Sequence, residues 1–204
     1  MRALTLLSSG LLIPLSLFSQ DSTAKPSTPF RRGQWAAQFT AGSGFGSLGF
    51  LKFRSPTRAL VLDVQLGGVH SESLTEDSTG VSQFDGLNSN AFTQLRFGWR
   101  RYVGGEPRIV THYTFGVLAG FNHSVSTSTV GGISTKSNGW SGGLFGDLGA
   151  TYLVTPKLGL GAMASGTLSY STSTTEAEPF GGKGHRWQIG GSAVSAAMVA
   201  TLYF

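Results

Sequence analysis

Histidine beside serine is the combination in this sequence that could support covalent chemistry. It occurs at His70-Ser71 and at His123-Ser124. A nucleophilic serine needs a base within hydrogen-bond reach, and a third group that orients the base. Adjacent residues of an extended strand point to opposite faces, so neither pair meets this demand while its backbone is extended. We therefore expect no catalytic residues and predict that the chain is not an enzyme.

Two more distant arrangements are also weak. His185 stands alone, and His70 would meet Asp77 or Ser78 only if the chain between them folded back. Serine is abundant in this chain, so the presence of a serine near a histidine in sequence carries little information.

Candidate metal ligands and cofactor motifs are equally sparse. The carboxylates Glu72, Glu76, Asp77 and Asp85 and the four separated histidines do not have the spacing of a zinc site or a calcium loop. Cysteine is absent, which excludes thiolate ligands and disulfides. The glycine-rich stretch 42–46 is not followed by a helix that would bind a dinucleotide phosphate. We expect neither a metal nor a cofactor.

The first twenty residues indicate export. Arg2 precedes an apolar run over 3–18, and polar residues follow at 19–21, which is typical of a secretory signal peptide. Pro14 and the shortness of the run argue against a spanning helix, which needs about 20 apolar residues. We predict a signal peptide over 1–20, cleaved near Ser19 or Gln20, and a polar, proline-containing lead-in over 21–32. The net charge of +5 is scattered, so we expect no nucleic-acid partner.

The remaining sequence divides into eight strand-like segments, over 34–44, 46–55, 59–70, 89–103, 109–123, 139–154, 158–170 and 187–204. Most are longer than the five or six residues typical of soluble strands and suit tilted spans of about 9–11 residues. Short turns containing proline or glycine lie at 55–58, 104–108 and 155–157, and a tight turn lies near 44–47. They alternate with long Ser/Thr-rich segments over 71–88, 124–138 and 171–186, which we predict to be loops.

The strands alternate between an apolar face and a face of glycine, hydroxyl and occasional charged residues. In the third segment, for example, Leu60, Leu62 and Val64 oppose Asp63 and Gln65. A soluble barrel or sandwich would turn the apolar face inward, and a membrane barrel turns it outward. The polar faces carry few lysines or glutamates, unlike a soluble exterior, and small residues suit the narrow interior of an eight-stranded barrel. We predict an all-β, eight-stranded antiparallel up-and-down transmembrane β-barrel over 33–204.

The final strand ends on Phe204, with Leu202 on the same face. With the strand number and the alternation of connections, this resembles the small eight-stranded bacterial outer-membrane β-barrels of the OmpA/OmpX type. The resemblance implies that Leu202 and Phe204 form the signal for the barrel-assembly machinery. It also implies an outer-membrane location, contact with outer-membrane lipid and lipopolysaccharide, and a monomer with both termini in the periplasm. Aromatic residues near the segment ends, including Trp99, Tyr102 and Trp140, are expected to form two belts at the membrane interfaces.

The polar faces predict an interior network of Asp63, Gln65, Gln94, Arg96, Arg100 and Asp147. Unpaired charge in a closed interior is costly, so we expect Asp63 to pair with Arg96 or Arg100. Lys52 or Arg54 would join the network if the second strand turned them inward; the facing of the second and last strands stays open.

We expect a plugged barrel that acts as a structural or interaction protein through external Ser/Thr-rich loops. A narrow pore for small solutes and, less favoured, a lipid A-modifying enzyme are the alternatives, and a secreted soluble β-barrel is the rival outside membranes.

Overall fold

The computed structural model of the chain describes residues 29–76, 82–103, 108–128, 133–178 and 181–204. The predicted signal peptide and most of the predicted lead-in lie outside these ranges. In the described part of the chain, no helix is long and apolar enough to cross a membrane.

Eight strands account for nearly all of the described residues. They are β1 (Trp35–Gly42), β2 (Phe45–Ser55), β3 (Arg58–Glu76), β4 (Ser82–Val103), β5 (Ile109–Ser128), β6 (Ile133–Thr155), β7 (Leu158–Glu178) and β8 (Gly182–Tyr203).

Each strand pairs antiparallel with the next in sequence, and the sheet closes into a barrel through β1 and β8. The closing register runs from Ala36 opposite Tyr203 to Gly42 opposite Ala197. The predicted fold class is confirmed.

The two ends of the barrel are named by the strands that begin and end there. The terminal end carries the start of β1 and the end of β8, and the distal end is the opposite one. At the distal end, Gly44 takes a φ of 77° in the tight turn between β1 and β2, a conformation that favours glycine.

The three long loops predicted at the distal end are wrong, because the strands continue through most of them. Pairing runs as far as Glu76 opposite Ser82, Ser128 opposite Ile133 and Ala177 opposite Gly182. Residues 77–81 lie outside the described ranges. Threonine favours strands, and a continued ladder satisfies the backbone hydrogen-bonding groups. The sequence hid these extensions because both faces are polar there, which removes the alternation by which a strand is recognised.

The outward face of the barrel is apolar and the inward face is mostly polar, as predicted. Large hydrophobic side chains such as Leu62, Phe97, Phe115 and Leu148 are exposed on the outside. The structure also settles the two strands whose facing was open. β2 turns Leu51 and Phe53 inward, and β8 turns Val199, Thr201 and Tyr203 inward while Met198 and Leu202 face out.

Candidate functional site

The lumen at the terminal end is filled by four aromatic rings, which we call the aromatic plug: Phe30, Phe53, Tyr102 and Tyr203. Phe30 is 4% exposed, and its ring centroid lies 4.6 Å from Phe53, 4.7 Å from Tyr102 and 5.0 Å from Tyr203. The other three rings belong to strands, whereas Phe30 precedes β1. The chain therefore folds back into the terminal end of its own barrel.

Sequence reasoning missed Phe30 because it lies in the segment assigned to a polar lead-in. The available signal was a lone aromatic residue in a stretch otherwise composed of Ser, Thr, Pro, one Ala and charged residues. Tyr102, which was expected in an interface belt, is 3% exposed and faces the lumen. Its position two residues beyond Arg100 puts it on the inward face of β4.

Six buried polar side chains lie on the distal side of the aromatic plug, and we call them the polar layer: Gln38, Asp63, Arg96, Arg100, Thr114 and Asp147. A seventh, His112, lies beside the plug, opposite Tyr102 in the register and 5.6 Å from its ring centroid. The guanidinium of Arg100 donates from Nε to Thr114 Oγ1 at 2.9 Å and from its terminal nitrogen to Gln38 Oε1. Gln38 in turn donates to Thr40 Oγ1 at 3.3 Å. These bonds connect β1, β4 and β5 across the lumen.

Arg96 forms the interior salt bridge, and its partner is Asp147. Asp147 also accepts a hydrogen bond from Ser165 Oγ at 2.6 Å. The guanidinium of Arg96 lies over the ring of Phe145, 3.9 Å from its centroid, in cation–π geometry. Two contacts thus fix the guanidinium between β4 and β6, which are not neighbouring strands.

The expected pairing of Asp63 with Arg96 or Arg100 is wrong. Asp63 lies opposite Arg96 in the β3–β4 register, but its side chain accepts a hydrogen bond from Ser47 Oγ at 3.2 Å. The arginine side chain is long enough to cross the narrow lumen, so the best partner need not be on the adjacent strand. Asp63, Asp147, Arg96 and Arg100 are all buried, and their formal charges sum to zero.

Lys52 and Arg54 do not join the polar layer, because they alternate with the inward-facing Leu51 and Phe53. Lys52 Nζ instead lies 4.7 Å from the ring centroid of Trp35 on the outer surface. The hydrophobic residues of β2, and not its cations, occupy the lumen at this level.

Gln65 and Gln94 lie opposite each other in the β3–β4 register and face a cavity on the distal side of the polar layer. The cavity has a volume of about 260 Å³, and Arg96, Ser165 and Thr167 also line it. The structure therefore brings the six predicted network residues to the lumen, divided between the cavity wall and the layer beneath it.

Glycines on the inner surface make room for the larger lumen side chains. A Cβ on Gly98 would lie 2.9 Å from the ring of Phe145, and a Cβ on Gly116 would lie 2.8 Å from it. Such distances are too short for ordinary van der Waals contact. The ring of Phe145, over which the Arg96 guanidinium lies, therefore fits in this position because β4 and β5 carry glycine beside it.

The histidines first considered for catalysis have other partners. His123 Nδ1 lies 2.7 Å from Asn138 Oδ1, and His185 Nδ1 lies 3.2 Å from Thr174 Oγ1. His70 Nε2 is 3.9 Å from Glu72 Oε1, and both side chains are exposed. Asp77 and Ser78 lie outside the described residues. Within the described ranges, no group of three or more His, Asp or Glu side chains is placed to hold a metal ion.

The last two candidate residues, Leu202 on β8 and Phe204 directly after it, face outward. Leu202 and Phe204 are exposed, and the backbone of Phe204 exchanges two hydrogen bonds with that of Trp35, at 3.0 and 3.2 Å. The side chain of the terminal residue is thus presented on the outer surface at the seam where the barrel closes.

Comparison with solved structures gives the same architecture. A major outer membrane protein of Thermus thermophilus superposes with a TM-score of 0.52 at 16% identity, covering 84% of this chain and 99% of that one. The outer membrane protein OprG of Pseudomonas aeruginosa superposes with a TM-score of 0.51 at 11% identity, covering 86% and 98%. The fold is that of a small outer-membrane β-barrel. No family model matches the sequence, and comparison with curated proteins gives no match.

The closed barrel and its apolar outer surface are the features expected of a barrel that crosses a membrane, in agreement with these two structures. Lipid cannot satisfy open sheet edges, so a sheet that crosses a membrane must close, and this one does. Together they support the outer-membrane location that the sequence predicted.

Proposed function

We propose that this protein is an outer-membrane barrel with a closed lumen, which serves as a structural or interaction protein through its distal surface. The observation that carries the proposal is the aromatic plug, in which Phe30 packs against three strand residues at the terminal end. The Arg96–Asp147 bridge crosses the lumen above it. A solute would have to displace both.

The proposal assigns the terminal end to the periplasm and the apolar outer face to lipid. Lipopolysaccharide then surrounds the barrel toward its distal end, and the barrel-assembly machinery inserts a monomer by reading Leu202 and Phe204. The protein is not an enzyme in this proposal, because His123 and His185 are each hydrogen-bonded to an amide or hydroxyl group, and no carboxylate of the described residues orients either ring. Mass spectrometry of lipid A from cells with and without the protein tests that point, and a changed lipid A would contradict it.

The surface offered to partners is a paired sheet. Cross-strand ion pairs join Lys136 to Glu178 at 3.1 Å and Lys183 to Glu176 at 2.7 Å. The hydrogen bond and the charge of Lys183 lower the pKa of Glu176. Ser/Thr side chains alternate with these pairs, so a partner would meet a polar, strand-ordered surface.

Planar-bilayer recording tests the closed lumen. We expect the wild-type protein to give no reproducible channels, and a Phe30→Ala variant to give small transient ones, because the substitution removes the ring that joins the plug. Heat-modifiable gel migration of both proteins would first show that they are folded. Steady, reproducible wild-type channels would refute the proposal.

A narrow pore is the second candidate, and two observations favour it. Phe30 is the one plug residue outside the strands, so the plug can open without breaking the barrel. Asp63 Oδ1 and both ring nitrogens of His112 have no hydrogen-bond partner within the described residues, and a hydrated lumen would satisfy them. The same bilayer recordings distinguish the pore from the closed lumen, because a pore predicts steady conductance of the wild-type protein.

A further inference from the structure

Three arginines form a cluster on the outer surface at the terminal end: Arg54, Arg58 and Arg101. Arg58 and Arg101 lie directly opposite each other in the β3–β4 register. Arg54 lies at the register shift between Phe53 and Ser55 that brings β2 to the start of β3. All three side chains are exposed.

Like charges directly opposite each other destabilise a sheet, so this arrangement calls for an anion. The described aspartates and glutamates lie elsewhere: Asp63 and Asp147 are in the lumen, and Glu72, Glu76, Asp85, Glu176 and Glu178 belong to the distal parts of their strands. Glu106 lies outside the described residues.

Two other cations at the same end, Lys52 and Arg108, have partners within the protein. Lys52 lies over the ring of Trp35, and Arg108 donates to the hydroxyl of Tyr152 at 3.4 Å. The arginine cluster differs from them in facing an open groove.

The groove has a volume of about 820 Å³ and is lined by the three arginines together with Phe97, Trp99 and Phe115. The aromatic rings are in contact, with centroids 5.7 Å apart for Phe97 and Trp99 and 6.0 Å apart for Trp99 and Phe115. Trp99 is two residues from Arg101, about 7 Å along the strand toward the middle of the barrel. The groove is therefore cationic at the barrel's edge and aromatic toward its middle.

We propose that this groove binds an anionic phospholipid of the periplasmic leaflet, with its phosphate on the guanidiniums of Arg54, Arg58 and Arg101. The acyl chains lie along Phe97, Trp99 and Phe115. Arginine binds phosphate oxygens in a bidentate manner, and each basic side chain near a membrane surface contributes about 1 kcal/mol toward anionic lipid. The inference assumes the membrane-embedded barrel, but not a closed lumen.

Trp99 provides the probe. We would retain it as the single tryptophan, in a W35F/W140F/W187F background, and refold the full chain into vesicles of equimolar phosphatidylcholine and phosphatidylglycerol. Bromine on the acyl chains of one lipid or the other quenches a tryptophan in contact with that lipid. The ratio of the two quenching efficiencies gives the relative binding constant at the groove.

We expect a preference for phosphatidylglycerol that falls by about fivefold for each arginine changed to glutamine, following the contribution per basic residue. The triple variant R54Q/R58Q/R101Q should show almost none. The matched control, K52Q/R108Q/K157Q, removes the same charge from the same end and should retain most of the preference. Heat-modifiable migration verifies that each variant is folded.

Equal quenching by the two lipids in the unsubstituted single-tryptophan protein would overturn the site, as would an equal loss in the control variant. Absence of quenching by either lipid would contradict the membrane barrel itself. The failure of the site and the failure of the proposed function are thus separate results.

Discussion

Replacement of Asp147 by asparagine tests whether the lumen is desolvated. Asparagine keeps the shape of the side chain and can still accept the hydrogen bond from Ser165, so the change removes little except the charge. Arg96 is 5% exposed and would lose its ion-pair partner. Breaking a buried pair by removing one partner costs about 3–5 kcal/mol. We expect a loss near the lower limit, because Asp63 lies opposite Arg96 in the register and can partly compensate its charge.

The measurement is the free energy of unfolding from reversible urea titration in phospholipid vesicles, followed by tryptophan fluorescence. Asp63→Asn is the matched control. Among the described residues Asp63 has no ion-pair partner and accepts one hydrogen bond, from Ser47, which asparagine can also accept, so this substitution should cost no more than about 1 kcal/mol. The double variant R96M/D147L removes both charges and should recover to within about 1 kcal/mol of the wild type, since apolar replacements of buried pairs are often neutral or stabilising. A D147N protein within about 0.5 kcal/mol of the wild type, as for a surface substitution, would refute the reasoning.

Two further predictions concern the inner wall and the terminal residue. Gly98→Ala places a Cβ 2.6 Å from the carbonyl oxygen of Phe115 and 2.9 Å from the ring of Phe145, and the strain should cost about 1–3 kcal/mol in the same urea titration. Gly146→Ala, whose Cβ meets only a backbone oxygen at 3.9 Å, should change stability by less than about 0.5 kcal/mol, and an equal loss in both would contradict the packing argument. Phe204→Ala should leave refolding in detergent nearly unchanged, because that side chain is 68% exposed. In cells, the same substitution should reduce the amount of protein that fractionates with the outer membrane. An unchanged amount would show that Phe204 is not part of the assembly signal.

The wall of the barrel could be predicted from the sequence because lipid and lumen impose opposite demands on alternate residues. Leu60, Leu62 and Val64 face out and Asp63 faces in, as their alternation indicates. The same rule gave no answer for β2, where Leu51 and Phe53 alternate with Lys52 and Arg54. Near the terminal end, the lumen itself is apolar and the outer rim is cationic. Alternation alone therefore cannot tell inside from outside there.

The contents of the lumen were harder to predict, since they depend on contacts that cross it. Strand adjacency placed Asp63 beside Arg96, and the register bears this out, yet the salt bridge goes to Asp147 on β6. Its geometry depends on the ring of Phe145 beneath Arg96 and on Gly98 and Gly116, which leave space for that ring. Which carboxylate pairs with Arg96 therefore depends on the space available in the lumen, and the alternation of residues along a strand carries no information about that space.

Phe30 covers an apolar opening of the lumen at the terminal end. The rings of Phe53, Tyr102 and Tyr203 leave an apolar opening that faces the periplasm in the proposed orientation, and exposed apolar surface there would be unfavourable in water. A barrel strand cannot cover it, because every strand is part of the wall. The segment that precedes β1 can, and it supplies the aromatic ring of Phe30. In the proposed closed barrel, closure therefore depends on a residue outside the sheet, which is why Phe30 is the position to substitute when a closed and a conducting lumen are compared.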